Sequence, residues 1–93
     1  MKIINPDVIR AAVDKHRDEI IQWIKTLICF PSENRPPNGF EWEAQKYIEN
    51  ECKNLGWDTD VFAPDEVMNI KENPVWLEGR DYSNNRKNVV ATW

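Results

Sequence analysis

The last six residues, Asn88-Val89-Val90-Ala91-Thr92-Trp93, form an uncharged, mostly apolar run that follows a polar loop. Its β-branched residues favour an extended strand. A strand is stable only beside neighbours that pair with its backbone, and no residue follows Trp93 to do so. The expectation is an opening segment of a larger domain, cut before the part that does chemistry, with its sheet incomplete. Size points the same way. A chain of 93 residues suits one small domain at most. At this length apolar burial does little more than offset the entropy of ordering the chain. A segment with an open sheet edge therefore depends on other polypeptide for stability.

Upstream, Asn5-Pro6-Asp7 opens a helix. Asn5 can cap free amides, Pro6 suits the first helical position and Asp7 complements the dipole. Ile9, Val13, His16, Ile20, Ile24 and Leu27 recur every three or four residues, predicting one amphipathic helix to about Cys29. Arg10 with Asp14, and Lys15 with Glu19, are spaced to pair on its wet side. Pro31 ends it, and residues 31–39 form a loop. Asn38 and Glu41 have the spacing of a capping box for a second helix, from about Phe40 to Leu55. Its buried stripe is Ala44, Ile48, Cys52 and Leu55, with Trp42 and Tyr47 beside it, and Gly56 is its left-handed stop. Residues 57–62 alternate as a short, partly polar strand. Pro64 starts a short helix that ends before Asn73-Pro74. Residues 74–87 are irregular, and 81–87 form a turn-rich connector to the final strand. The fold class expected is an incomplete α/β layer: two amphipathic helices packing on a sheet of which only two strands are present.

The charge balance narrows the partners. The net charge is −4 without any cluster of Lys and Arg, which argues against nucleic acid. Mean hydropathy is −0.70 and no apolar run approaches membrane length. The first residues lack the apolar core of a signal peptide, so the cytoplasm is the default location. Cys29 and Cys52 both fall in apolar helical patterns and read as reduced core thiols. No Cys-x-x-Cys or second histidine completes a zinc site.

Candidate reactive groups have plainer explanations. His16, the one histidine, lies on the apolar stripe of the first helix with no companion ligand. Glu41 is explained by capping, Glu49 by pairing with Lys53, and Glu43 and Glu51 by a solvated helix face. Asp58 and Asp60 read as outward charges that discourage edge-to-edge aggregation. Ser32, beside Glu33 and Asn34, lacks a base for nucleophilic work and reads as part of a helix-ending turn. No catalytic, metal or substrate-binding residue is assigned.

Several signals nevertheless stand together in order. Leu27-Ile28-Cys29-Phe30-Pro31-Ser32-Glu33-Asn34 is followed by Pro36-Pro37-Asn38-Gly39 and then by a Glu-rich helix ending Leu55-Gly56-Trp57. Val61-Phe62, Pro64-Asp65, Gly79-Arg80-Asp81-Tyr82 and Arg86-Lys87-Asn88-Val89-Val90-Ala91 complete the series. Over nearly its whole length the chain resembles the N-terminal part of the acetylornithine deacetylase / succinyl-diaminopimelate desuccinylase family of zinc amidohydrolases. That family includes aminoacylases and glutamate carboxypeptidases. The Gly-Arg-Asp-Tyr stretch looks most like its deacylase branch.

The resemblance implies a two-domain, often homodimeric hydrolase. Two zinc (or cobalt) ions would activate a bridging water for cleavage of an N-acyl amide or peptide bond. It also implies that the first metal ligands, a His-x-Asp motif, lie beyond Trp93. Residues 1–93 would then be the N-terminal part of a metallohydrolase catalytic domain, truncated before the metal-binding motif and inactive alone. Its partner would be the remainder of that domain, in the same or a separate chain. No cofactor, nucleic acid or membrane is expected for these residues themselves. Two alternatives stay open: a small helical protein-interaction module, or one chain of a split enzyme completed in trans.

Overall fold

The computed structural model describes residues 4–35, 37–83 and 86–93. Asn5 caps the first helix, α1 (Pro6–Lys15), its side-chain oxygen accepting from the Asp7 amide at 2.9 Å. The single helix predicted to Cys29 is instead broken at His16. This residue adopts φ −101° and ψ 16°, and α2 (Arg17–Ile28) begins after it. His16 sits in the sparsely allowed bridge region between two intact hydrogen-bond ladders. No residue of α1 is buried, so packing does not hold the two segments on one axis. The expected pairs do not form either: Arg10 turns back to Asp7, at 3.4 Å, and Glu19 meets His16 rather than Lys15.

After α2 the chain makes a minimal hairpin, β1 (Asn34–Arg35) with β2 (Asn38–Gly39), and enters α3 (Trp42–Asn54). Gly56, at φ 80°, stops α3 as expected. The Gly56 amide donates to the Lys53 carbonyl and the Trp57 amide to that of Cys52, satisfying two carbonyls of the last turn. This stop reverses the chain into β3 (Asp58–Phe62). Two short 3-10 turns, Pro64–Glu66 and Ile70–Glu72, replace the predicted short helix before β4 (Asn88–Thr92).

β4 does find a neighbour, upstream. It pairs antiparallel with β3, with Thr59 opposite Ala91 and Val61 opposite Val89. These four residues form the half-buried face of the sheet, and α3 packs on both strands. Asp58, Asp60, Asn88, Val90 and Thr92 alternate to the other face and are exposed. The outward aspartates are thus placed as expected. α2 meets α3 through Trp23, whose indole N–H donates to Glu51 at 3.1 Å, and through Phe30 against Tyr47. Glu51 is therefore half-buried and engaged rather than simply solvated. The incomplete α/β architecture holds, with three helices and two small antiparallel sheets.

Burial is sparse. Among the described residues only Gly39, Ala63 and Arg86 are buried, while Met68, Val75 and Trp93 are more than four-fifths exposed. Both cysteines carry free thiols, but Cys29 is exposed and Cys52 half-buried, so Cys29 is not a core group. No helix among the described residues is long and apolar enough to cross a membrane.

This distribution predicts an uneven response to truncation. Leu27→Ala, on the half-buried face of α2, is expected to destabilise by about 2 kcal/mol. Val13→Ala, on exposed α1, should change stability by less than about 0.5 kcal/mol. Urea unfolding followed by circular dichroism measures both.

Candidate functional site

Arg86, immediately before β4, is the buried polar centre of the described structure. A guanidinium removed from water requires acceptors for its five N–H bonds. Arg86 has five contacts. Nε and Nη2 grip the two carboxylate oxygens of Glu41 at 3.3 and 3.0 Å. Nη2 also donates to Asn34 Oδ1 at 3.2 Å. Nη1 reaches the carbonyls of Pro37 at 3.0 Å and Asp81 at 3.5 Å. The guanidinium carbon lies 5.4 Å from the centre of the Tyr82 ring, which stacks on Trp76. One side chain thus joins the hairpin, the start of α3 and the connector to the foot of β4. The Asp81 amide adds a bond to the Pro37 carbonyl at 2.8 Å.

Local structure explains how the partners arrive. The capping box expected of Asn38 and Glu41 does not form. Asn38 is in β2, and its buried Oδ1 has no partner among the described residues. Glu41 occupies the N-cap position with helical dihedrals and gives the helix no side-chain bond. The Arg86 fork outcompetes a cap because it supplies two bonds between oppositely charged partners, whereas the cap would supply one bond to a neutral amide. Gly39 is buried against this pair. A Cβ there would run into both Glu41 carboxylate oxygens and would lie 2.7 Å from Arg86 Nε.

The electrostatics follow from this packing. Burial pushes the Glu41 carboxyl upward, but the hydrogen bonds and charge of Arg86, with the charge of Arg80, outweigh it and hold the group below its ordinary range. Asp81 is also lowered, by the hydroxyl and amide of Ser83.

The other sequence candidates remain dispersed. His16 is exposed, with Nδ1 3.1 Å from Glu19. Ser32 is exposed, and Glu33 pairs with Arg35 at 2.8 Å. Glu49 holds Lys53 at 2.6 Å, as expected. Of the Ser32-Glu33-Asn34 stretch, Asn34 is the residue that joins the Arg86 cluster. No group of three or more His, Cys, Asp or Glu among the described residues could hold a metal ion. The described residues therefore do not fit the paired-metal centre that the family resemblance implies. The cluster binds structure together; it holds no nucleophile or base poised for reaction. Sequence reading missed Arg86 because a lone arginine in a polar connector looks like every solvated arginine.

Comparison with known proteins adds one relative. The chain is 35% identical over 52 residues to the N-formyl-4-amino-5-aminomethyl-2-methylpyrimidine deformylase of Halalkalibacterium halodurans. The match takes in 56% of this chain and 12% of that protein, so the chain spans only a small part of the relative's length. This is a distant likeness to a deformylase. No family profile and no solved structure matches.

Three outcomes test the cluster. Arg86→Lys keeps the charge but cannot reproduce the fork, and should cost roughly 2–3 kcal/mol. Gly39→Ala should cost about 1–3 kcal/mol, because Arg86 pins the carboxylate it strikes. A carboxyl lowered by folding stabilises fully above its ordinary value of 4.5 and loses that contribution as pH falls through its lowered folded value. Denaturation between pH 7 and pH 3 should show this acid-sensitive component in the native chain and its loss in Glu41→Gln.

Proposed function

We propose that these residues are the N-terminal part of a metal-dependent amidohydrolase acting on N-acyl or N-formyl amides. The stretch of 35% identity to a deformylase carries this reading. The ordered motifs from Leu27 to Ala91 that resemble the acetylornithine deacetylase family support the same reaction class. The role of residues 1–93 is architectural. Arg86 holds Asn34 and Pro37 beside the foot of β4, and α3 covers one face of the sheet. The metal ligands, the water-activating groups and the substrate contacts would come from polypeptide beyond Trp93, joined or supplied in trans.

The decisive assay compares the purified 93-residue chain with the same chain joined to the polypeptide encoded after it. The chain alone should bind zinc weakly and hydrolyse no N-acyl or N-formyl amide. The joined protein should turn over such substrates and lose activity to a chelator. Metal-dependent turnover by the chain alone, or a joined protein inert with and without zinc, overturns the proposal.

The exposed apolar side chains of α1, Val8, Ile9 and Val13, favour a second reading, a helical interaction module. Sedimentation separates the two. The module reading expects a defined, cooperatively melting oligomer of the 93-residue chain. The fragment reading expects a poorly folded or aggregating species.

A further inference from the structure

Arg80 and Arg86 line the same cleft, of about 210 Å3, together with Lys87, Glu41, Gln45 and Tyr82. Their circumstances are opposite. Arg86 has five hydrogen-bond contacts within the protein. Arg80 is half-buried and makes neither hydrogen bond nor ion pair with any described residue. Lys87 rests over the Trp42 ring, 5.9 Å from its centre, and meets no carboxylate among the described residues. Three cations thus face one carboxylate, and Arg86 already holds that carboxylate. This is a local excess of positive charge in a chain of net charge −4. A partly desolvated guanidinium without an acceptor is costly, and an arriving anion removes the cost.

The cleft has an apolar extension. Arg80, Tyr82 and Pro64 also line an adjoining cleft of about 320 Å3, whose remaining walls include Ile70, Trp76 and Leu77. The buried indole N–H of Trp76 has no acceptor among the described residues. A planar two-oxygen anion suits the Arg80 fork, and an apolar body suits the second cleft. We propose that Arg80 and Lys87 form the head of a binding site for a monocarboxylate whose apolar or aromatic body lies in the adjoining cleft. The site stands on these residues alone and does not depend on the hydrolase reading.

Calorimetric titration at low ionic strength of the 93-residue chain joined to the polypeptide encoded after it tests the site with phenylacetate, phenylacetamide and inorganic phosphate. Phenylacetate should bind saturably, and the other two at least tenfold more weakly. Arg80→Ala should weaken phenylacetate at least tenfold. Arg80→Lys, which keeps the charge without the fork, should fall between. Lys87→Ala, which removes a contact with the Trp42 ring but no hydrogen bond or ion pair among the described residues, serves as the independent variant and should weaken binding severalfold if Arg80→Ala unfolds the chain. The proposal is overturned by an absence of saturable binding or by unchanged affinity in the folded variants. Equal binding of phenylacetamide would show that the cleft reads only the ring. Equal binding of phosphate would show that it reads only charge.

Discussion

A single desolvated guanidinium joins the hairpin, the start of α3 and the connector before β4. Arg86 cannot shed its proton, so its burial is tolerable only with its N–H groups engaged. Its contacts with Asn34, Pro37, Glu41 and Asp81 come from segments as much as 52 residues away. Losing one partner leaves charge stranded rather than merely removing a contact. That asymmetry makes the cluster cooperative. It also explains the buried glycine: Gly39 leaves room for the ion pair where any side chain would strike it.

The weight on this polar clamp reflects how little apolar burial accompanies it. Ala63 is the one buried hydrophobic residue described, and large side chains such as Ile28, Leu77 and Trp93 remain well exposed. The β3–β4 sheet is covered by α3 on one face and carries Asp58 and Asp60 on the other. α1 contributes nothing to the interior. Hydrophobic stabilisation scales with area removed from water, so polar and aromatic contacts carry an unusual share. Phe30 with Tyr47, Trp23 with Glu51 and Trp57 with Trp93 each join separate segments.

The contrast between two arginines in one cleft separates structure from recognition. Residue type and sequence context are nearly the same for Arg80 and Arg86, since both lie in the irregular stretch before β4. Arg86 has its donors engaged by the fold, whereas Arg80 has no hydrogen-bond or ion-pair partner among the described residues. In the proposed site, free hydrogen-bonding capacity, rather than the presence of positive charge, distinguishes the binding arginine from the structural one.

Local chemistry determined much of what was readable in advance. Asn5-Pro6 began a helix, Gly56 stopped another, Glu49 met Lys53, and the β-branched run before Trp93 became a strand. The first three depend on contacts within a few residues, which the order of amino acids specifies directly, while the strand also required β3 to pair with it. Tertiary structure decided where alternatives competed. Glu41 had the spacing to cap α3 and instead bound Arg86, because a distant cation offered two charge-assisted bonds. The apolar periodicity through His16 was compatible with one helix, and without packing on α1 the chain broke there. The core role of Arg86 had no local signature at all: it arises only when the hairpin, α3 and the connector converge, since a buried charge is defined by its surroundings and not by its neighbours in sequence.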